Sequence, residues 1–202
     1  MQRPEPRLVL ASGSPTRKAL LSAAGLQFEA IPARVDEAAI KAEARQQGCT
    51  GGETAARLAD RKAEEVARSA TDALVIGADQ LLVCQGEWFD KPASIEDARL
   101  QLLRLRGQTH VLHTAITCQY AGQRVWTYKA SPSLTMRAFS NRFLDDYLAL
   151  EGDRVLTSVG AYRLEAAGIH LFERVEGEHS AILGLPLLAL LEFLRHWGVL
   201  QP

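Results

Sequence analysis

The stretch Ala73-Leu-Val-Ile-Gly-Ala78 constrains the fold more than any other part of the chain. Six apolar residues in succession, without the alternation of a half-solvated strand, predict a strand buried on both faces. Such a strand must be covered twice, which points to helices layered on a sheet. The run ends at Asp79, where a carboxylate is poorly hydrated and costly to keep unless it is paired or used.

The flanking segments support a layered reading. Leu8-Val-Leu-Ala11 predicts a short strand, followed by Ser12-Gly13-Ser14-Pro15. Ser14 suits an N-cap, Pro15 the first helical position and Gly25 the stop of the helix between them. A second strand is predicted over 28–31. The polar, glycine-rich stretch 45–52 predicts a flexible loop, and a helix follows over 54–69 with Leu58, Ala59, Ala63 and Val66 inward. Ser94 caps a helix over 95–106. From 108 to 136 the residues are β-branched and aromatic, with a hairpin turn at Ala121-Gly122. Ser140 caps a helix to 150, a strand is expected over 169–175, and Pro186 opens a last helix to Trp197. Strand–helix alternation first and hairpins later predict an α/β fold with a mixed twisted sheet flanked by helices. At 202 residues a single domain over 1–202 is expected, with room for two lobes.

Composition narrows the class of function. Twenty-three basic and twenty-four acidic residues leave a net charge of −1, so no basic surplus supports binding to a nucleic-acid polymer. The longest apolar run, 182–191, is broken by Pro186 and falls short of the ~20 residues a membrane span needs. The first seven residues carry charges and prolines where a signal peptide has an apolar stretch, so a cytoplasmic location is expected. Cys49, Cys84 and Cys118 are widely spaced, which argues against disulfides and zinc and for three small buried hydrophobes.

Several residues are candidates for chemistry. A strand–glycine–helix entry presents unpaired N–H groups and the positive end of a helix dipole, a natural phosphate site. Ser12, Ser14 and Thr16 add hydroxyls there and Arg17 a guanidinium fork; an ordinary capped helix with a surface arginine is the plainer alternative. Asp79 is a candidate general base or metal ligand, or else a turn residue beside Gly77. Asp36-Glu37 suits a hard cation, or the solvated first turn of a helix over 38–46. Lys62 falls on the inner face of its helix, and Lys91 lies in the turn before another; each could meet an anion or simply snorkel. His110 and His113, three apart on a strand, direct their rings to opposite faces and make a poor metal pair.

Taken together, these pieces resemble the Maf family of nucleoside-triphosphate pyrophosphatases. The matching segments keep their order along nearly the whole chain: Leu10-Ala-Ser-Gly-Ser-Pro-Thr-Arg17, Val35-Asp36-Glu37, Leu58-Ala-Asp-Arg-Lys-Ala63, Ile76-Gly-Ala-Asp79-Gln80, Lys91-Pro92, Gly160-Ala-Tyr162 to Glu165, Glu176-Gly177 and Gly184-Leu-Pro186. The resemblance implies cleavage of a nucleoside triphosphate between its α and β phosphorus atoms, giving the monophosphate and pyrophosphate, with removal of non-standard nucleotides as the purpose. It also implies a divalent cation (Mg²⁺ or Mn²⁺), two lobes with a deep cleft, and a homodimer. Asp79 would be the base, Glu37 with Asp79 would hold the cation, and Ser12, Ser14, Arg17, Lys62 and Lys91 would hold the triphosphate.

The chain departs from the family pattern at two cations. Thr16 stands where a second arginine is common, and Thr157-Ser158-Val159 occupies the place of a lysine before Gly160. Thr16, Gln80 and Glu165 fall where the family's branches differ. The branch acting on dTTP and UTP carries Arg, Thr and Gln, and the branch acting on 7-methyl-GTP carries Trp, Gln and Glu. Two of three match the second. A carboxylate at Glu165 suits a cationic purine with N–H donors on its edge, whereas Thr16 cannot stack on a base as Trp can. The expected substrate is therefore a methylated or otherwise modified purine triphosphate, with pyrimidines as the alternative base class. A non-catalytic, nucleotide-binding regulator of septum formation is the competing function, and a phosphohydrolase releasing orthophosphate is a third.

Overall fold

A computed structural model describes residues 2–201. In chain order its elements are β1 (Leu8–Leu10), α1 (Pro15–Ala23), β2 (Glu29–Ala30), α2 (Glu37–Gln46), α3 (Gly51–Ala67), β3 (Leu74–Cys84), β4 (Glu87–Phe89), α4 (Ile95–Leu105), β5 (Thr109–Tyr120), β6 (Gln123–Ala130), β7 (Ser133–Met136), α5 (Asn141–Glu151), β8 (Phe172–Glu176), α6 (His179–Ile182) and α7 (Leu187–His196). The strands form a mixed eight-stranded sheet in the order β2-β1-β3-β5-β7-β8, with β4 on β3 and β6 on β5. The α/β class expected from the sequence holds.

The chain divides into two compact units. The first takes in the chain up to Gln80, Thr114–Ala130 and the chain from Glu178. Here β1 lies parallel to both β2 and β3, with Leu8, Val9 and Leu10 opposite Leu74, Val75 and Ile76. The strand period of two sorts these residues onto two faces. Leu8, Leu10, Leu74, Ile76 and Ala78 pack with Leu21 of α1 and Leu190, Phe193 and Leu194 of α7. Val9, Ala11 and Val75 pack with Ala63, Val66 and Ala67 of α3. Burial on both faces is thus the reason the run at 73–78 shows no polar alternation.

The second unit takes in Leu81–His113 and Ser131–Gly177. Its strands are antiparallel: β4 pairs the end of β3, and β7 lies between β8 and the start of β5. Buried Leu102, Leu105, Leu112, Leu134, Leu144 and Leu171 lie in this unit.

Three local expectations are corrected. The flexible loop predicted over 45–52 is shorter, because Arg45 and Gln46 belong to α2 and Gly51 and Gly52 to α3. Thr50 caps that helix in a capping box with Glu53, so cap hydrogen bonds outweigh the helix-breaking preference of the glycines. The strand predicted over 169–175 starts later; Ala167–Leu171 is a 3₁₀ turn and β8 begins at Phe172. Of the cysteines, Cys84 and Cys118 are buried, but Cys49 is only half-buried.

Candidate functional site

Parallel pairing sets the site. Because β1 and β3 run the same way in register, the loop leaving β1 lies beside residues 77–79 of β3, a place where open α/β sheets bind ligands. The Ser14 hydroxyl caps α1, accepting from the Arg17 N–H at 3.4 Å, and the Ser12 hydroxyl accepts from the Ser14 N–H at 3.2 Å. Pro15 occupies the first helical position and Thr16 the second.

Arg17 folds back across this loop. Its Nε donates to the Gly184 carbonyl at 2.8 Å, and its Nη1 donates to the Ala78 carbonyl at 2.8 Å and to Ser12 Oγ at 3.2 Å. Three of the five guanidinium donors are thus committed to the chain, which fixes the fork in place. Burial lowers its pKa, opposed by the charges of Asp79 and Glu37. A guanidinium remains charged despite such a shift.

Asp79 is not a turn residue. It lies inside the eleven-residue strand β3 and is buried, so the turn alternative is excluded. Val75, Gly77 and Asp79 share the face of β3 that meets α3. Gly77 is the reason α3 comes so close: a Cβ there would lie 2.8 Å from both the Ala63 Cβ and the Ala63 nitrogen and would clash with the Ala59 carbonyl. This approach brings Lys62, three residues after Ala59, within reach of Asp79. Lys62 Nζ donates to Asp79 Oδ1 at 2.5 Å and to Glu37 Oε1 at 2.7 Å. The side chains of Lys62 and Asp79 are 11% and 8% exposed and that of Glu37 is 46% exposed, so the group is closed at its base and open at Glu37.

The acidic pair is divided between two tasks. Asp36 caps α2, accepting from the Ala39 N–H at 2.9 Å, while Glu37 reaches Lys62. The first-turn alternative holds for both residues, since Glu37 opens α2 and is about half exposed, but Glu37 also pairs with Lys62. One ammonium nitrogen draws the Glu37 and Asp79 carboxylates together, and two hard oxygen donors at one place are the chemistry that Mg²⁺ or Mn²⁺ takes, with phosphates and water filling the shell. Among the described residues no cluster of three or more His, Cys, Asp and Glu side chains is present, so the protein alone offers an incomplete shell.

The other predicted residues separate. Gln80, on the opposite face of β3, shares its two Nε2 hydrogens among Thr114 Oγ1, at 2.8 Å, and the Ala181 and Ile182 carbonyls, at 3.0 Å. Lys91 and Glu165 belong to the second unit. Lys91 is exposed between β4 and α4, and Glu165 Oε1 lies 3.5 Å from Arg163 Nε. His110 is buried against the Tyr162 hydroxyl at 2.8 Å, and the half-buried His113 meets Ser131. Burial pushes the His110 pKa down to about 4.

Sequence reasoning missed the Gly184 and Ala78 carbonyls and Thr114. Backbone acceptors leave no side-chain signal, and Thr114 is one of several β-branched residues in its strand. The close approach at Gly77 had a signal, a glycine within a strand pattern.

Comparison with known proteins places the chain. Residues 7–197 match the model of the family described as Maf-like protein. The chain is similar to a nucleoside triphosphate pyrophosphatase of Granulibacter bethesdensis, 51% identical over 94% of this chain and 96% of that protein. A protein of the same name from Rhodospirillum rubrum is 47% identical over 96% of each chain. A 7-methyl-GTP pyrophosphatase of Rhizobium meliloti is 44% identical over 98% of this chain and 99% of that protein. With the family model covering nearly its whole length, the chain belongs to the Maf-like protein family.

Proposed function

We propose that this protein is a nucleoside-triphosphate pyrophosphatase, hydrolysing the α–β phosphoanhydride to a monophosphate and pyrophosphate. The observation that carries the reading is the Lys62 ammonium shared by Asp79 and Glu37, in the same unit as the loop braced by Arg17. The names of the relatives support it.

The Asp79 carboxylate is the base that accepts a proton from the attacking water. Lys62, hydrogen-bonded to that carboxylate, orients it and offsets negative charge. The loop N–H groups, the Ser12 and Ser14 hydroxyls and Arg17 receive phosphate oxygens at the start of α1. Catalysis then comes from positioning and charge neutralisation, with no covalent intermediate asked of the protein. Glu37 and Asp79 are the residues that would hold a divalent cation. When bound, Mg²⁺ or Mn²⁺ supplies an acidified water and a counter-charge for pyrophosphate.

The family resemblance assigns Lys91 to the triphosphate and Glu165 to the base. Glu165 favours a methylated or otherwise modified purine, since a carboxylate answers both a cationic ring and its N–H donors. The test is pyrophosphate release with Mg²⁺ from 7-methyl-GTP, GTP, dTTP, UTP and CTP side by side. Release of pyrophosphate supports the reaction; orthophosphate alone, or binding without turnover, would overturn it. Preference for 7-methyl-GTP over GTP and the pyrimidines supports the base assignment, and preference for dTTP and UTP would reverse it.

A further inference from the structure

The segment carrying the Gly184 carbonyl is braced by side chains of the sheet as well as by its own backbone hydrogen bonds. Helix α6 has four residues, too short to be stable by itself. Its terminal carbonyls are nevertheless satisfied, by side chains from the sheet. Thr114 Oγ1 donates to the Ala181 carbonyl at 2.9 Å, and Gln80 Nε2 donates to the Ala181 and Ile182 carbonyls. The Thr114 hydroxyl has one proton, which goes to Ala181, so it is the acceptor of the third contact from Gln80. Two carbonyls at the same end of the Gln80 amide fix its orientation with the nitrogen inward. The Gly184 N–H in turn donates to the Ala181 carbonyl at 3.0 Å, and the Gly184 carbonyl accepts from Arg17. Gly184 sits at φ +94°, and a Cβ there would press on Arg17 at 3.4 Å. These contacts form one chain of partners from Gln80 and Thr114, through Ala181 and Gly184, to Arg17.

We infer that Thr114 and Gln80 are positioning residues for phosphate binding: they hold the 181–184 turn, and the turn's Gly184 carbonyl holds the guanidinium of Arg17. This gives the Gln80 Nε2 a task other than reading the base, since both of its hydrogens are spent inside the protein. The inference rests on the proposed function only for the part of Arg17 that faces a triphosphate.

The test uses Thr114→Val, which keeps the shape and removes the hydroxyl, with Thr114→Ser as the variant that restores it. Hydrogen exchange at the Gly184 amide reads the turn without any activity. KM and kcat for the best nucleotide of the substrate panel read the consequence for Arg17. For Thr114→Val the inference expects faster exchange at Gly184 and a KM raised ~10-fold, the effect of misplacing one charge-assisted hydrogen bond. It expects kcat to change much less than KM, and Thr114→Ser to return both readings toward wild type. Unchanged exchange at Gly184 overturns the tie. Faster exchange with an unchanged KM overturns its link to Arg17. Wild type that is inactive on every nucleotide would overturn the proposed reaction while leaving the exchange reading to decide the tie. Should Thr114→Val not fold, Gln80→Met carries the same expectations, since it too removes donors from the Ala181 carbonyl.

Discussion

Lys62 and Asp79 form a hydrogen-bonded ion pair of 2.5 Å, both nearly buried, whose two halves come from a helix and from the middle of the central strand. Glu37 completes the group at 2.7 Å from the same nitrogen. The pair is costly to desolvate and contributes less to stability than its geometry suggests. Its value lies in a carboxylate held in one orientation, with a cation already beside it.

Asp79→Asn keeps the shape of the side chain and removes the proposed base. Its rate of pyrophosphate release is expected to fall on the order of 10²–10⁴-fold. Steady-state assays with the substrate panel check this, and a variant as active as wild type would dismiss Asp79 as the base.

Lys62→Met leaves two converging carboxylates without their ammonium. Breaking a buried pair by removing one partner costs about 3–5 kcal/mol, to be read from urea denaturation. If Glu37 and Asp79 hold the divalent cation as proposed, it recovers part of the loss, and Mg²⁺ is expected to raise the Tm of Lys62→Met more than that of wild type. Equal Tm shifts would separate the cation from Glu37 and Asp79. Chelation by EDTA is expected to abolish wild-type turnover.

Gly77→Ala tests the packing that brings Lys62 to Asp79. The added methyl meets the backbone of α3, and the helix must move away from the sheet. A loss of at least about 2–3 kcal/mol is expected, with turnover reduced in whatever remains folded. Denaturation midpoints of the two proteins decide it.

His110 makes stability depend on pH. Burial lowers its folded pKa to about 4, against an unfolded value of about 6.5. Between those values the unfolded chain binds a proton that the folded chain refuses, so stability rises with pH across that window. The contribution is complete above about pH 6.5 and is lost as pH falls toward 4, roughly 3 kcal/mol in total. Urea midpoints at pH 7 and pH 5 should differ for wild type. The difference should shrink for His110→Gln, which keeps a partner for the Tyr162 hydroxyl and cannot titrate.

The local rules of the chain settled much of this protein. The apolar run at 73–78 meant a doubly covered strand whatever followed it, and Ser14, Ser94 and Ser140 set the starts of their helices through a single side-chain acceptor each. The periodicity of α3 placed Lys62 inward. These features depend on neighbours within a turn or two. Tertiary structure decided which residues share a site. That Asp79 faces Lys62 while Gln80 faces Ala181 follows from alternation along β3, but their partners were brought there by strand pairing and by the absence of a side chain at Gly77. The division of Asp36 and Glu37 into a cap and a ligand of Lys62, and the capture of Arg17 by the Gly184 carbonyl 167 residues later, likewise depend on where distant backbone lies. A sequence displays the groups that can donate and accept; only the folded chain shows which of them are already occupied.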